Sequence, residues 1–307
     1  MTTPHWHILG AGAIGQLWAS ALAQAGCAVT LILRSGERQA ALTAANHCLT
    51  RTNPDGSQHT FKVRSVLVNE CDQISNLLCT TKSYDTLTAL SQIKHALSDI
   101  SNVLVIQNGL QGQEDAKRLL NNIPLWVGSS TDGAWRADDF SITHAGIGET
   151  RIGAYNKQAT HVLPKALPAN LSLAVLGEEN ITLILWRKLA INCAINPLTV
   201  LFNCKNGELL APQPHALMAE VCQEIEQLTH ALNITLFKQS VLSQAEQIAK
   251  STAQNHSSML QDYRNQRPTE LAAMTGFLLA QADTLGVDLP VNRKVYLDVK
   301  RLTQYNV

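Results

Sequence analysis

Apolar residues fall into two textures along the chain. Up to about residue 178 they come in short runs separated by amphipathic stretches, and from residue 180 onward they recur at helical spacing over long segments. In the first part, runs at 6–9, 28–33, 61–68, 76–80, 103–107 and 126–130 predict strands, being short and bounded by turn-forming residues. Residues 17–22 and 84–97 carry helical periodicity instead. Alternation of this kind predicts an open parallel sheet with covering helices. Two further runs, 141–144 and 149–153, flank Ala145-Gly146-Ile147-Gly148 and predict an antiparallel hairpin appended to the sheet. Residues 156–170 are polar with two prolines, and 171–176 predict a last strand.

Beyond residue 180 the strand signals vanish, and helical periods span 182–195, 213–233, 238–264 and 270–285. The expected architecture is an N-terminal Rossmann-type α/β dinucleotide-binding domain, residues 1–179, followed by an all-α C-terminal domain, residues 180–307. Pro197 has no amide hydrogen for the helical ladder, so the helix over 182–195 is expected to kink or loosen near Asn196.

Composition narrows the function classes. Lysine plus arginine and aspartate plus glutamate both number 24, giving zero net charge, without the basic footprint of a nucleic-acid binder. The stretch 181–202 is the longest apolar one, but Arg187, Lys188, Asn192 and Asn196 interrupt it. Central charges cost roughly 2.5–3.5 kcal/mol each in a bilayer, so it reads as a buried helix of a soluble protein. Met1–His5 lack a basic region followed by an uninterrupted apolar core, so no secretory signal is expected there. The seven cysteines form no C-x-x-C pair and suit buried thiols in a reducing cytoplasm. The ten histidines show no metal-binding spacing.

The glycine run Gly10-Ala11-Gly12-Ala13-Ile14-Gly15 sits between a predicted strand and a predicted helix, with a second strand after it. That order builds a dinucleotide site, in which Gly12 admits the pyrophosphate and the helix N-terminus offers amides to it. Where NAD-binding chains carry an acidic residue at the end of the second strand, this chain has Arg34 followed by Ser35. A guanidinium there suits a 2′-phosphate and points to NADP.

Lys188, Asn192 and Asn196 recur every four residues. Each step drifts only about 40° around a helix, so the three form one polar stripe. It is either a solvated face or a group that needs partners or a ligand. Gln107-Asn108-Gly109 and Lys82 end two predicted strands at the edge where open α/β sheets bind ligands, although Asn-Gly also suits a simple turn. Glu270 opens a predicted helix, where an acidic residue is favoured for dipole reasons alone. Ser257 and Ser258 lie within a helical period.

Together these segments resemble the 2-dehydropantoate 2-reductase (ketopantoate reductase) family. The resemblance is carried by Gly10–Trp18, 107–109, 128–134, the block WRKLAINCAINPLTVLFNCKN at 186–206, NHSSMLQD at 255–262, and 269–279. It implies reduction of 2-dehydropantoate to pantoate with NADPH, on the route to pantothenate and coenzyme A. It further implies that Gly10, Ala11, Gly12, Ala13, Ile14, Gly15, Arg34, Lys82, Asn108, Ala134 and Glu270 contact the cofactor. Lys188 would give a proton to the ketone oxygen, with Glu270 beside the reacting centre. Asn108, Asn192, Asn196, Asn206, Asn255 and Ser258 would hold the substrate's polar groups. A monomer or homodimer acting on a small molecule, with no nucleic-acid or membrane partner, is expected. The rival readings are a reductase of another 2-keto acid and a non-catalytic NADP-binding sensor.

Overall fold

The alternating apolar runs assemble into sheets in a computed structural model, which describes residues 3–304. Residues 1 and 2 and 305–307, the ends of the two expected domains and part of the N-terminal reading, lie outside the described residues. The chain divides into two compact units. One runs through Gln107 and resumes over Gly112–Thr182, and the other consists of Asn108–Gln111 and the residues from Leu183 onward.

The first unit begins β1 (His5–Leu9), α1 (Ala13–Gln24), β2 (Ala28–Leu33), α2 (Gly36–Ala44), β3 (Cys48–Thr52), β4 (Gln58–Lys62), β5 (Arg64–Leu67), β6 (Ile74–Cys79), α3 (Thr86–Ile93) and β7 (Leu97–Ile106). It continues after α4 (Gln111–Leu119) with β8 (Leu125–Ser130), β9 (Gly133–Asp138), β10 (Ser141–Gly146), β11 (Glu149–Ala154) and β12 (Ala174–Gly177). Eight strands form a sheet in the order β12-β11-β8-β7-β6-β1-β2-β5. Its pairings are parallel except that of β8 with β11. A second sheet has the order β4-β3-β10-β9. Helix α1 packs against β1 and β2 of the large sheet and against all four strands of the small one, so residues from Gly15 to Leu22 are buried without interruption. A helix apolar on every side is a buried helix, and the small sheet is what covers it.

Three expectations for this unit are corrected. The runs at 141–144 and 149–153 do not pair with each other: β10 joins β9 and β3 in the small sheet, and β11 joins β8 and β12 in the large one. The Thr131–Asp132 turn stands in the way of a hairpin. A Cβ on Gly148 would lie 2.4 Å from the Thr131 carbonyl carbon, and Asp132 Oδ1 accepts from Gly148 N at 3.1 Å while lying 3.0 Å from His144 Nε2. Next, the run at 61–68 breaks at Val63 into β4 and β5, which belong to different sheets. Last, the helix expected over 84–97 is regular only in α3, with tight 3₁₀ turns at Ser83–Asp85 and Lys94–Ala96.

The second unit is helical: α5 (Ile181–Leu201), α6 (Pro212–Ala231), α7 (Val241–Ser251), α8 (Ser258–Arg264), α9 (Phe277–Leu285) and α10 (Pro290–Gln304). Helix α5 continues through Pro197 to Leu201, beyond the period expected to close at residue 195. Residues 193–200 are buried without a gap, and that packing offsets the proline penalty of roughly 3 kcal/mol. The period at 238–264 splits into α7 and α8, because the Ser257 side chain leaves the helical ladder to accept from Leu260 N at 3.0 Å. Serine oxygens compete with helix in this way and favour caps. A π turn over Ala272–Gly276 precedes α9. Helix α10, not anticipated from periodicity, is anchored by buried Glu224 on α6, which accepts from Val291 N (2.7 Å) and Asn292 N (2.8 Å). Among the described residues no helix is long and apolar enough to cross a membrane.

Candidate active site

The glycine run forms the turn from β1 into α1. Gly10 has φ +100°, and a Cβ there would lie 2.6 Å from Thr81 N. The Thr80 hydroxyl donates to the Gly10 carbonyl at 2.7 Å, locking the loop onto the end of β6. A Cβ on Gly15 would meet that same carbonyl oxygen at 2.1 Å. Gly12 differs, having nothing within 4 Å of its missing Cβ. It stands at the N-cap of α1 with no side chain to cap the first-turn amides. Open space before uncapped amides fits a bound diphosphate. Ala13 starts α1, while Ala11 and Ile14 pack on the core that also carries Ala134 of β9.

Arg34 directly follows β2, and its guanidinium is ion-paired with Asp85. The pair borders a cavity of about 550 Å³, also lined by Val68, Asn69, Thr88, Ala89 and Gln92. Lys82 is half-buried at the start of the 3₁₀ turn that carries Asp85. Gln107 fixes this turn from β7. Its buried Nε2 donates to the Thr81 carbonyl (2.7 Å) and to the Thr81 hydroxyl (2.9 Å). Sequence reasoning missed Asp85, for which spacing gives no signal.

In the second unit, Asn108 donates to Glu270 Oε2 at 3.3 Å. Gly109 makes the approach possible: it has φ +76°, and a Cβ there would lie 2.5 Å from the Ala273 carbonyl oxygen. That carbonyl, inside the π turn, also accepts from Leu110 N at 3.4 Å. Glu270 is only 5% exposed. Lys188 is half-buried, and burial lowers its ammonium from the ordinary 10.5 to about 8, with the Glu270 carboxylate pulling the other way. Further along α5, buried Asn196 donates to the Met274 sulfur at 3.8 Å, and Thr275 donates to the Cys193 sulfur at 3.8 Å. The stripe is therefore no solvated face: Lys188 feels the Glu270 carboxylate, Asn196 is buried against the π turn, and Asn192 is half-buried between them. A thioether is a weak acceptor for a buried amide, and π turns concentrate at functional sites.

Asn206 opens a 3₁₀ turn beyond α5, Asn255 lies in the loop before α8, and Ser258 is the first residue of α8. Asn206 is buried; its N donates to the Asn255 carbonyl (3.0 Å) and its Nδ2 to the Thr252 hydroxyl (2.9 Å). Its Oδ1 is buried with no hydrogen-bond partner. Asn255 and Ser258 are exposed, and Asn192 is half-buried. Thr199 joins the two parts, its hydroxyl lying 2.6 Å from the Ser257 hydroxyl and donating to the Asn196 carbonyl at 2.7 Å. Thr199 was missed, and Ser257, expected within a helical period, instead caps α8, a serine before an apolar helical run being a helix-start signal. Among the described residues no histidine, cysteine, aspartate and glutamate grouping could hold a metal ion.

Residues 6–157 match the family described as ketopantoate reductase PanE/ApbA, and residues 180–303 match its C-terminal part. A 2-dehydropantoate 2-reductase of Vibrio cholerae is 31% identical over 97% of this chain and 97% of its own. The crystal structure of a PanE/ApbA family ketopantoate reductase from Ralstonia eutropha superposes with a TM-score of 0.88 at 26% identity, covering 98% of this chain and 99% of that one. A D-mandelate dehydrogenase solved with NADH and anilino(oxo)acetate shares the fold, with a TM-score of 0.87 at 21% identity over 98% and 99% of the two chains. The chain belongs to the PanE/ApbA ketopantoate reductase family.

Proposed function

We propose that this chain reduces 2-dehydropantoate to (R)-pantoate with NADPH, in the cytoplasmic route to pantothenate and coenzyme A, as a monomer or homodimer. The observation that carries the reading is the pairing of a half-buried Lys188, its ammonium lowered to about 8, with the buried carboxylate of Glu270. NADPH, when bound, supplies the hydride. Gly10, Ala11, Gly12, Ala13, Ile14 and Gly15 would receive its diphosphate, the amides of the first turn of α1 donating to it, and Arg34 its 2′-phosphate, with Lys82, Asn108, Ala134 and Glu270 as further contacts. Lys188 stands ready to give its proton to the ketone oxygen as negative charge builds there. A cation in that place lowers the barrier electrostatically as well as by proton transfer. Because burial lowers its affinity for the proton, Lys188 remains mostly protonated at neutral pH yet parts with it more readily than an exposed lysine.

Glu270 keeps Lys188 charged and, through Asn108, is itself held in place. Asn192, Asn196, Asn206, Asn255 and Ser258, with Asn108 and Lys188, supply neutral and cationic contacts for the substrate's carboxylate and hydroxyl. Neutral amides do this without competing for the ammonium. Loss of NADPH absorbance on adding 2-dehydropantoate tests the reading, with the 2-keto acid of mandelate as competitor substrate. The similarity to D-mandelate dehydrogenase favours this second reading, a reductase of another 2-keto acid. A kcat/KM higher for the mandelate keto acid than for 2-dehydropantoate would select it. Turnover of neither, with NADPH still bound, would leave the sensor.

A further inference from the structure

Resting on the NADPH reading, we propose that Asp85 is a specificity-determining residue for the cofactor's 2′ position, acting as a competitor for Arg34. Arg34 directly follows β2, at the strand end where the adenosine ribose of a bound dinucleotide lies, and its guanidinium is already engaged by the Asp85 carboxylate. The two residues share the wall of the 550 Å³ cavity, so a phosphate that reaches Arg34 also reaches a carboxylate. A 2′-phosphate must displace Asp85 from the guanidinium and then tolerate a like charge beside it. The 2′-hydroxyl of NADH meets neither penalty, and a carboxylate can accept from it.

Geometry keeps Asp85 in this position. It closes the 3₁₀ turn that Gln107 ties to β7 through Thr81, and it precedes α3 without capping it by its side chain. The carboxylate is therefore available to Arg34 instead of being spent on the helix. The ion pair is exposed, the arginine side chain at 66% and the aspartate at 33%. Exposed pairs are weak and can be exchanged for a better partner. A dianionic phosphate with bidentate geometry is such a partner. Asp85 thereby narrows the advantage of NADPH over NADH without abolishing it.

The test is equilibrium binding of NADPH and NADH to the intact protein by the fluorescence of the reduced nicotinamide, comparing wild type with Asp85→Asn. Asparagine keeps the shape and removes the charge, and since the pair is exposed the variant folds. NADPH should bind about three- to tenfold more tightly to Asp85→Asn, the scale of an exposed ion pair together with one like-charge repulsion. NADH should bind equally or more weakly. In an Arg34→Ala background the gain for NADPH should shrink, since the competition for the guanidinium is gone and only the like-charge repulsion remains. Unchanged or weakened NADPH binding would overturn the proposal, as would equal tightening of both cofactors or an undiminished gain without Arg34. Binding of neither cofactor by the wild type would instead defeat the NADPH reading itself.

Discussion

The glycine turn of the first unit and the polar cluster of the second are built by different means. The turn is a matter of backbone: Gly10 and Gly15 sit where a single carbon would strike Thr81 N or the Gly10 carbonyl oxygen. The cluster is a matter of side chains brought together from distant parts of the chain. Asn108 and Glu270 meet across 162 residues of sequence, and Lys188 is electrostatically coupled to the same carboxylate. A backbone device tolerates almost no substitution but asks little of its neighbours. A side-chain device tolerates changes of shape better, and fails when one charge loses its counterpart.

Removing the ammonium should give the largest effect. Lys188→Ala should lower kcat by about 10²–10⁴-fold, the usual worth of a general acid with electrostatic stabilisation, and leave NADPH binding nearly intact. Steady-state kinetics with a parallel fluorescence titration separate the two. Near-normal kcat in this variant would move the proton donor elsewhere.

The same contrast explains what was legible in the sequence. The glycine turn could be read directly, because its conformational demand is local and glycine alone meets it. Half of the cluster could be read too, since a period of four places Lys188, Asn192 and Asn196 on one face of α5. Its partners could not, because nothing in a helical period says which distant segment will cover that face. The same limit misassigned β10 and β11 as a hairpin: alternation tells which side of a strand is apolar and not which strand lies beside it. Helix α1 held an unused clue. Its run Leu17-Trp18-Ala19-Ser20-Ala21-Leu22 is too uniformly apolar for a helix covering one face of a sheet, and the small sheet is the consequence. The helical period at 182–195 also stops short, because the burial that carries α5 past Pro197 to Leu201 comes from packing that periodicity does not reveal.

Two glycine variants sharpen the backbone side of the comparison. Gly10→Ala forces a positive-φ residue and a clash with rigid backbone, so it should cost roughly 2–4 kcal/mol in stability and be visible as a lower Tm. Gly12→Ala meets no protein atom and has an ordinary φ of −80°, so its Tm should stay the same or rise slightly. The added methyl occupies the space assigned to the diphosphate, and NADPH affinity should fall by about ten- to a hundredfold, roughly 1.4–2.7 kcal/mol. Unchanged NADPH binding in Gly12→Ala would remove the diphosphate from this turn.

Arg34→Ala probes a side-chain contact within the first unit. Loss of a charge-assisted pair to phosphate is worth about 1.5–3 kcal/mol, but the ion pair with Asp85 must be broken first. The expected loss for NADPH is therefore near the lower end, roughly tenfold in KM, with kcat and NADH affinity little changed. Equal losses for both cofactors would show that Arg34 does not read the 2′ position.

The smallest effect is also the most specific to the cluster. Burial lowers Lys188 from 10.5 to about 8 against the pull of Glu270. If the protonated form is the proton donor, kcat/KM for reduction should be flat below about pH 8 and fall above it, approaching tenfold per pH unit. Stability should respond in the opposite sense. Between about 8 and 10.5 the unfolded chain holds more protons on this lysine than the folded one, so folding stability from this group rises with pH across that window. Below pH 8 the full penalty of the buried ammonium is present. Lys188→Met should abolish both slopes, and Glu270→Gln, by removing the charge that raises the lysine, should shift the activity limb to lower pH. An activity limb that stays in place in Glu270→Gln would mean that the carboxylate does not set the protonation of Lys188.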